Sequence, residues 1–376
     1  MKTYKQLLLL LTILATTTGL AQRSEQIARV VEYRPAPGQH INRLFPTPEK
    51  SESYEKALAF AQEQLVNKRF MLGLGSFGGY VIVAFDHPVV NVKGQYDLRG
   101  MGNAFVGNSE PGVVLVCQDR NKNGKPDPEE DWYELAGSEY KHPLSIKNYE
   151  ITYYRPKPDG QKKNIRWTDN QGGEGEIQHI SFATQASMYP RWIKEDQISF
   201  RGTKLRNNAR QTGGFWKLEA FDWGYVDNHP NTESIERTGF KIDWAVNAQG
   251  KAVQLDYIDF VKIHTAQLQE AGSLGETSTE ITGMIDLHPN ADLHTYDNPL
   301  AASNNLVVRQ EGGYIKLQSD YAIRRIHLND LSGRLCMANE AQDALDIRQL
   351  PEGLYLIRIE LEGGIQLVRK IQIGKH

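Results

Sequence analysis

The feature that most constrains the fold is a succession of short runs rich in Val, Ile, Tyr and Phe. They read "YVIVAFDHPV", "GVVLVCQ", "YEITYYRP", "QISFRGTKL", "FKIDWAV" and "YIDFVKIHT". Turn clusters such as "GQYD", "DNQGGEG" and "VNAQGK" separate them, and no amphipathic helix alternates with them. β-Branched and aromatic residues suit a pleated, half-buried surface. Many short strands without intervening helices predict an antiparallel all-β sandwich, not a parallel sheet. We place this domain at 68–288. Before it, residues 22–67 read as a proline-punctuated lead-in and one helix, "SYEKALAFAQEQLVNK". That helix puts Tyr54, Leu58, Ala61 and Leu65 on one face, with Ser51 or Ser53 as its cap.

The first 21 residues have the form of a secretory signal peptide. Lys2 and Lys5 precede an apolar stretch from Leu7 to Leu14, and Ala21 precedes the expected cleavage point. The apolar run is too short for a membrane span. Charge is nearly balanced, 43 Lys+Arg against 46 Asp+Glu, and no basic run is interleaved with aromatics, so no nucleic-acid partner is expected. Two cysteines, Cys117 and Cys336, lie far apart in strand patterns and read as small buried hydrophobes, not a disulfide framework.

The segment "DRNKNGKPDPEE" follows "GVVLVCQ" directly. Counting from Asp119, oxygen-bearing residues fall at positions 1, 3, 5, 9 and 12 (Asp119, Asn121, Asn123, Asp127 and Glu130), with Gly124 at position 6. Position 7, Lys125, would offer its carbonyl. This is the spacing of a 12-residue calcium loop, here entered from a strand. A structural Ca²⁺ is the expected cofactor. Glu129 and Asp131 compete with Glu130 to close the site.

No HExxH, G-x-S-x-G or phosphate-loop pattern is present; "GLGSFGG" lacks the Lys-Ser/Thr of a P-loop. His288 and His294 fall in a spacer. Glu110, Glu276 and Glu280 offer carboxylates, and Glu110 or Glu276 would serve a surface glycan hydrolase. Aromatic residues beside polar ones are more suggestive: Trp132, Tyr133, Trp223, Tyr225 and Trp244. In "WGYVDNHPN" the turn chemistry predicts a loop mouth with Trp223, Tyr225, Asp227 and Asn228 as ligand contacts. A non-catalytic binding module for a glycan or another scavenged nutrient is the leading expectation; a hydrolase and a structural surface or matrix protein are the alternatives.

"DLHPNADLHTYDNPLAASNN" has no apolar period, and we read 289–303 as a linker. Strands resume over 304–376. There "LNDLSGR" (328–334), "LPEGLYLIRI" (350–359) and "GGIQLVRKIQI" (363–373) resemble the type A sorting domain of type IX secretion in Bacteroidetes. The resemblance implies a small immunoglobulin-like sandwich, passage through the type IX translocon, removal by a sorting-domain peptidase and a place on or outside the cell surface. In the central region, "LGSFGGYVIVAFDHPVVNV", "GNAFVGNSEPGVVLVCQD", "DWYELAGSEY", "WGYVDNHPN", "FKIDWAV" and "IDFVKIHT…GSLGETSTEI" resemble a family of Bacteroidetes cell-surface proteins. That likeness implies a discoidin-like, galactose-binding jelly roll. Some members lie near outer-membrane corrinoid uptake genes, which adds a corrinoid to the expected ligands; the aromatic faces read above would equally hold another flat macrocycle such as haem.

Overall fold

The computed structural model describes residues 23–291, 307–311, 313–319, 322–340, 343–361 and 366–374. The signal peptide and most of the expected linker lie outside these residues. The chain is all-β, with antiparallel sheets throughout. The largest sheet has six strands. Their spatial order is Arg29–Arg34, Tyr80–Val90, Tyr257–Thr265, Gly112–Cys117, Trp132–Leu135 and Ala245–Val246. A second sheet orders Gly239–Phe240, Leu98–Gly102, Glu280–Asp286 and Leu72–Gly73, and a third orders Gln197–Lys204, Ile146–Tyr154, Ile165–Asp169 and Glu174–Ile177.

One buried cluster joins these layers. It holds Val81, Val83, Val116 and Ile263 of the first sheet, Leu98 and Met284 of the second, and Ile151, Tyr153 and Phe200 of the third. In the Tyr80–Val90 strand the alternate set, Ile82 and Ala84, joins Cys117 and Phe260 in a smaller cluster on the opposite face. The period-2 pattern therefore buries both faces.

The expected helix forms over Tyr54–Leu65, and Ser53 caps it by accepting from the Lys56 N–H. Its buried face is Ala57, Phe60, Ala61, Gln64 and Leu65, while Tyr54 stays outside. The stripe is thus rotated from the expected one, because Phe60 carries more apolar area into the core than Tyr54 could. "FKIDWAV" is not one strand. It breaks into Gly239–Phe240, a 3-10 turn at Ile242–Trp244 and Ala245–Val246, and so bridges two sheets. The break turns Asp243 outward, where its carboxylate accepts from Asn91 Nδ2 at 3.0 Å and the Gly94 N–H at 2.7 Å.

The C-terminal strands build a separate core of Ile315, Leu317, Ile326, Leu328, Ile357 and Ile359 between a three-stranded and a four-stranded sheet. Cys117 is buried and Cys336 half-buried, and both are free.

Candidate functional site

Three arrangements of side chains carry chemistry. The first is the loop between the Gly112–Cys117 and Trp132–Leu135 strands. Asp119 accepts the Asn123 N–H at 3.1 Å and the Gly124 N–H at 2.6 Å. Asn121 Oδ1 accepts from the Asn123 N–H, and Asn123 Oδ1 from the Lys125 N–H. Glu130 folds back over the turn, its two oxygens taking the Arg120 and Asp127 N–H groups at 2.7 and 3.1 Å. Asp131 instead pairs outward with Arg120, so Glu130 is the carboxylate turned into the loop. Gly124 sits at φ +78°, a conformation only glycine takes cheaply, and its carbonyl accepts from Arg29 Nη2 at 2.7 Å.

Asp259, on the Tyr257–Thr265 strand, accepts the Asp119 N–H at 2.7 Å. Burial, with added repulsion from Asp119 and Glu130, pushes its carboxyl up to about 6. Nothing in the local spacing signals Asp259, because it comes from a strand 140 residues away. The donors are all hard oxygens with several carboxylates among them, which fits calcium chemistry.

The second arrangement is a groove of about 540 Å³, lined by Tyr140, Lys141, Trp223, Asp243, Trp244 and Gly250 among others. The Trp223 and Trp244 rings lie 4.5 Å apart at 47°, and Tyr96 stands edge-on to Trp244 at 5.8 Å. Lys147 Nζ sits 3.3 Å from the centre of the Tyr140 ring. Two backbones meet beneath the groove. Gly224 has φ +87°, and a Cβ there would fall 2.5 Å from Gly137 Cα. The Ser138 N–H donates to the Trp223 carbonyl at 3.1 Å, and the Ala136 N–H to the Trp244 carbonyl at 3.0 Å. Both tryptophans are therefore tied to the segment that continues the Trp132–Leu135 strand.

Of the four residues expected at the loop mouth, Trp223 lines this groove and the other three point inward. Tyr225 is 2% exposed and its hydroxyl accepts the Glu139 N–H. Asn228 is enclosed, bonding the Phe221 N–H and carbonyl at 2.8 and 2.9 Å. Asp227 accepts the Asn103 and Glu280 N–H groups, each at 2.8 Å. The polar turn residues satisfy neighbouring main chain instead of facing water, which is why turn chemistry read as a mouth. The groove's second wall, Tyr140 and Trp244, comes from distant segments; Trp244 was visible as an aromatic beside Asp243, whereas Tyr140 and Gly250 gave no signal.

The third arrangement is internal. Oxygens of Glu110, Asp227 and Glu280 lie within 4.8 Å of one another. Burial, and then mutual repulsion, push the Asp227 and Glu280 carboxyls well above their usual range; burial takes Glu110 up to about 7. Glu276 is enclosed nearby, with one oxygen accepting the Gln39 N–H at 2.7 Å. None of these carboxylates lines the aromatic groove.

Comparison with known families decides the fate of the tail. Residues 309–374 match the secretion system C-terminal sorting domain. The protein is a cargo of type IX secretion. Its tail engages that machinery, which delivers the chain to the cell surface or the exterior. Comparison with curated proteins gives no match. Among the described residues no helix is long and apolar enough to cross a membrane.

Proposed function

We propose that the exported chain is a non-catalytic binding module of the cell surface, with a sugar ring as the ligand of the Trp223–Trp244 groove. The carrying observation is the groove itself: two tilted indoles and Tyr140 form its apolar wall, and Lys141, Ser138 and Asp243 supply polar groups at its rim. Sugars are held by an aromatic face and directed hydrogen bonds. The likeness of the central segments to surface proteins of galactose-binding type supports the same reading. A hydrolase on Glu110 or Glu276 is less well supported, since Glu276 is 2% exposed, neither residue lines the aromatic groove, and a glycosidase needs its carboxylates at an open cleft.

We further propose that Ca²⁺ occupies the 119–130 loop, held by Asp119, Asn121, Asn123, the Lys125 carbonyl, Asp127 and Glu130. The four-residue strand Trp132–Leu135 runs from that loop to the groove wall at Ala136–Tyr140. Fixing the loop thereby fixes the wall.

The test is titration of the mature chain in calcium with glycans, a corrinoid and haem, read by tryptophan fluorescence. Saturable binding of a glycan is expected, weakened up to ~10-fold by Trp223→Ala, since an aromatic contact contributes about 0.5–1.5 kcal/mol beyond the area it buries. Glycan affinity untouched by Trp223→Ala and Trp244→Ala, or binding of a corrinoid or haem alone, would overturn the reading.

A further inference from the structure

The acidic turn holds the chain's only Asn-Gly pair, Asn123–Gly124. An asparagine followed by glycine can close on itself. The glycine nitrogen attacks the asparagine Cγ, a five-membered succinimide forms, and ammonia leaves. Nucleophile and carbonyl belong to one short segment, so the encounter needs no second protein group brought from afar. The nitrogen is also unshielded, since Arg29 Nη2, 3.8 Å away, is the nearest atom that a Cβ on Gly124 would meet. Asn123 itself is exposed, which gives water access to the succinimide.

In this turn each of the three reacting groups has a partner. The Gly124 N–H, whose proton must be lost, donates to Asp119 Oδ2 at 2.6 Å. The carboxamide oxygen Oδ1, where negative charge develops, accepts the Lys125 N–H at 2.8 Å. The departing Nδ2 donates to Asp127 Oδ2 at 2.6 Å. A carboxylate on the attacking N–H and a main-chain donor on the developing oxyanion are the two devices by which acyl-transfer sites lower their barrier. The frame around them is fixed as well. The Asp119 N–H donates to Asp259 on a neighbouring strand at 2.7 Å, and the Asp127 N–H to Glu130 at 3.1 Å.

We propose that Asn123 is a self-modifying residue, converted within the folded turn to aspartate or isoaspartate. Asp119 takes the proton of the Gly124 nitrogen as that nitrogen bonds to Cγ, and the Lys125 N–H holds the oxyanion. The Cγ–Nδ2 bond then breaks, and Nδ2 leaves as ammonia with the proton returned from Asp119. One water opens the succinimide at either carbonyl, so the net change is asparagine and water to acid and ammonia. Aspartate at position 5 of the loop adds a carboxylate to the donor set and strengthens calcium binding; isoaspartate inserts a backbone atom and spoils the ligand spacing. Calcium would engage Asp119 and Asn123 Oδ1 and so halt the reaction. That control, though not the reaction, rests on calcium occupying the loop as proposed above.

The mature full-length chain is held at neutral pH with chelator or with calcium. Peptide mapping follows asparagine, aspartate and isoaspartate at position 123, and melting curves of the same samples record calcium binding. With chelator, Asn123 should convert at least ~10-fold faster in the folded chain than in the same chain unfolded in urea, a modest share of what a positioned base and an oxyanion donor supply. Asp119→Asn, checked for cooperative unfolding, should lose that advantage, and calcium should slow the wild type at least ~10-fold. Conversion no faster folded than in urea would overturn the proposal without need of any variant. So would undiminished conversion in a folded Asp119→Asn chain, or calcium that raises the melting temperature yet leaves conversion unchanged. If calcium alters neither melting nor conversion while Asp119→Asn still slows it, the calcium reading fails and the self-modification stands.

Discussion

His264 should make the domain acid-sensitive in a way that can be separated from every other group. It lies on the Tyr257–Thr265 strand, 2% exposed, with Nδ1 3.0 Å from the Thr265 carbonyl and the Phe77 ring 5.8 Å away. Its Nε2 has no partner and abuts Gly202 of the third sheet, where an added Cβ would come within 2.8 Å. Among the described residues no acceptor meets a second proton there. Burial first, then the Lys262 charge, lowers the imidazole to about 4. Below the ordinary value of about 6.5 the unfolded chain takes up a proton that the native site refuses, so stability present at neutral pH is lost as pH falls toward 4. The gap corresponds to about 3 kcal/mol in full, and about 2.5 kcal/mol of it is lost by pH ~4.5. His264→Asn keeps a donor near the Thr265 carbonyl and cannot titrate. Urea unfolding of both chains at pH ~7.5 and ~4.5 isolates the term, because His40, also lowered to about 4 by burial, titrates in both. The wild type should lose about 2.5 kcal/mol more than the variant between the two pH values. Equal losses would show that the buried ring accepts its proton in place, and the reasoning would fail.

Chelation should lower the melting temperature, and calcium should restore it. Free calcium at about 100 times Kd contributes about 2.7 kcal/mol, or about 5–10 °C for a domain of this size, and coincident melting curves in the two buffers would count against calcium in the 119–130 loop. A chain ending near residue 300 should accumulate in the periplasm, with its central domain folded, as followed by fractionation and protease access; surface display of that chain would contradict the role of the tail.

The Tyr80–Val90 and Gly112–Cys117 strands were legible because both faces are buried, the Ile146–Tyr154 and Gln197–Lys204 strands because buried and more exposed side chains alternate, and the Tyr54–Leu65 helix because a capping serine preceded an apolar period. The 119–130 turn was legible because its donors and acceptors are neighbours in the chain. The groove was legible only at Trp223 and Trp244. Its shape depends on Gly137 meeting Gly224, a contact 87 residues apart in sequence that local patterns do not encode. The same limit explains Asp227. A turn-forming aspartate looks solvent-facing until Glu110 and Glu280 are folded against it.

The bond from Arg29 to the Gly124 carbonyl joins the acidic turn to the six-residue strand that closes one side of the largest sheet. Behind that strand lies Tyr80–Val90, eleven residues long and almost wholly apolar. If the turn slackens, its hold on the covering strand slackens with it, and a long hydrophobic edge becomes available for pairing with other chains. The failure to expect of this protein in ion-poor surroundings is therefore self-association through an unzipped margin, setting in while most of the core is still intact.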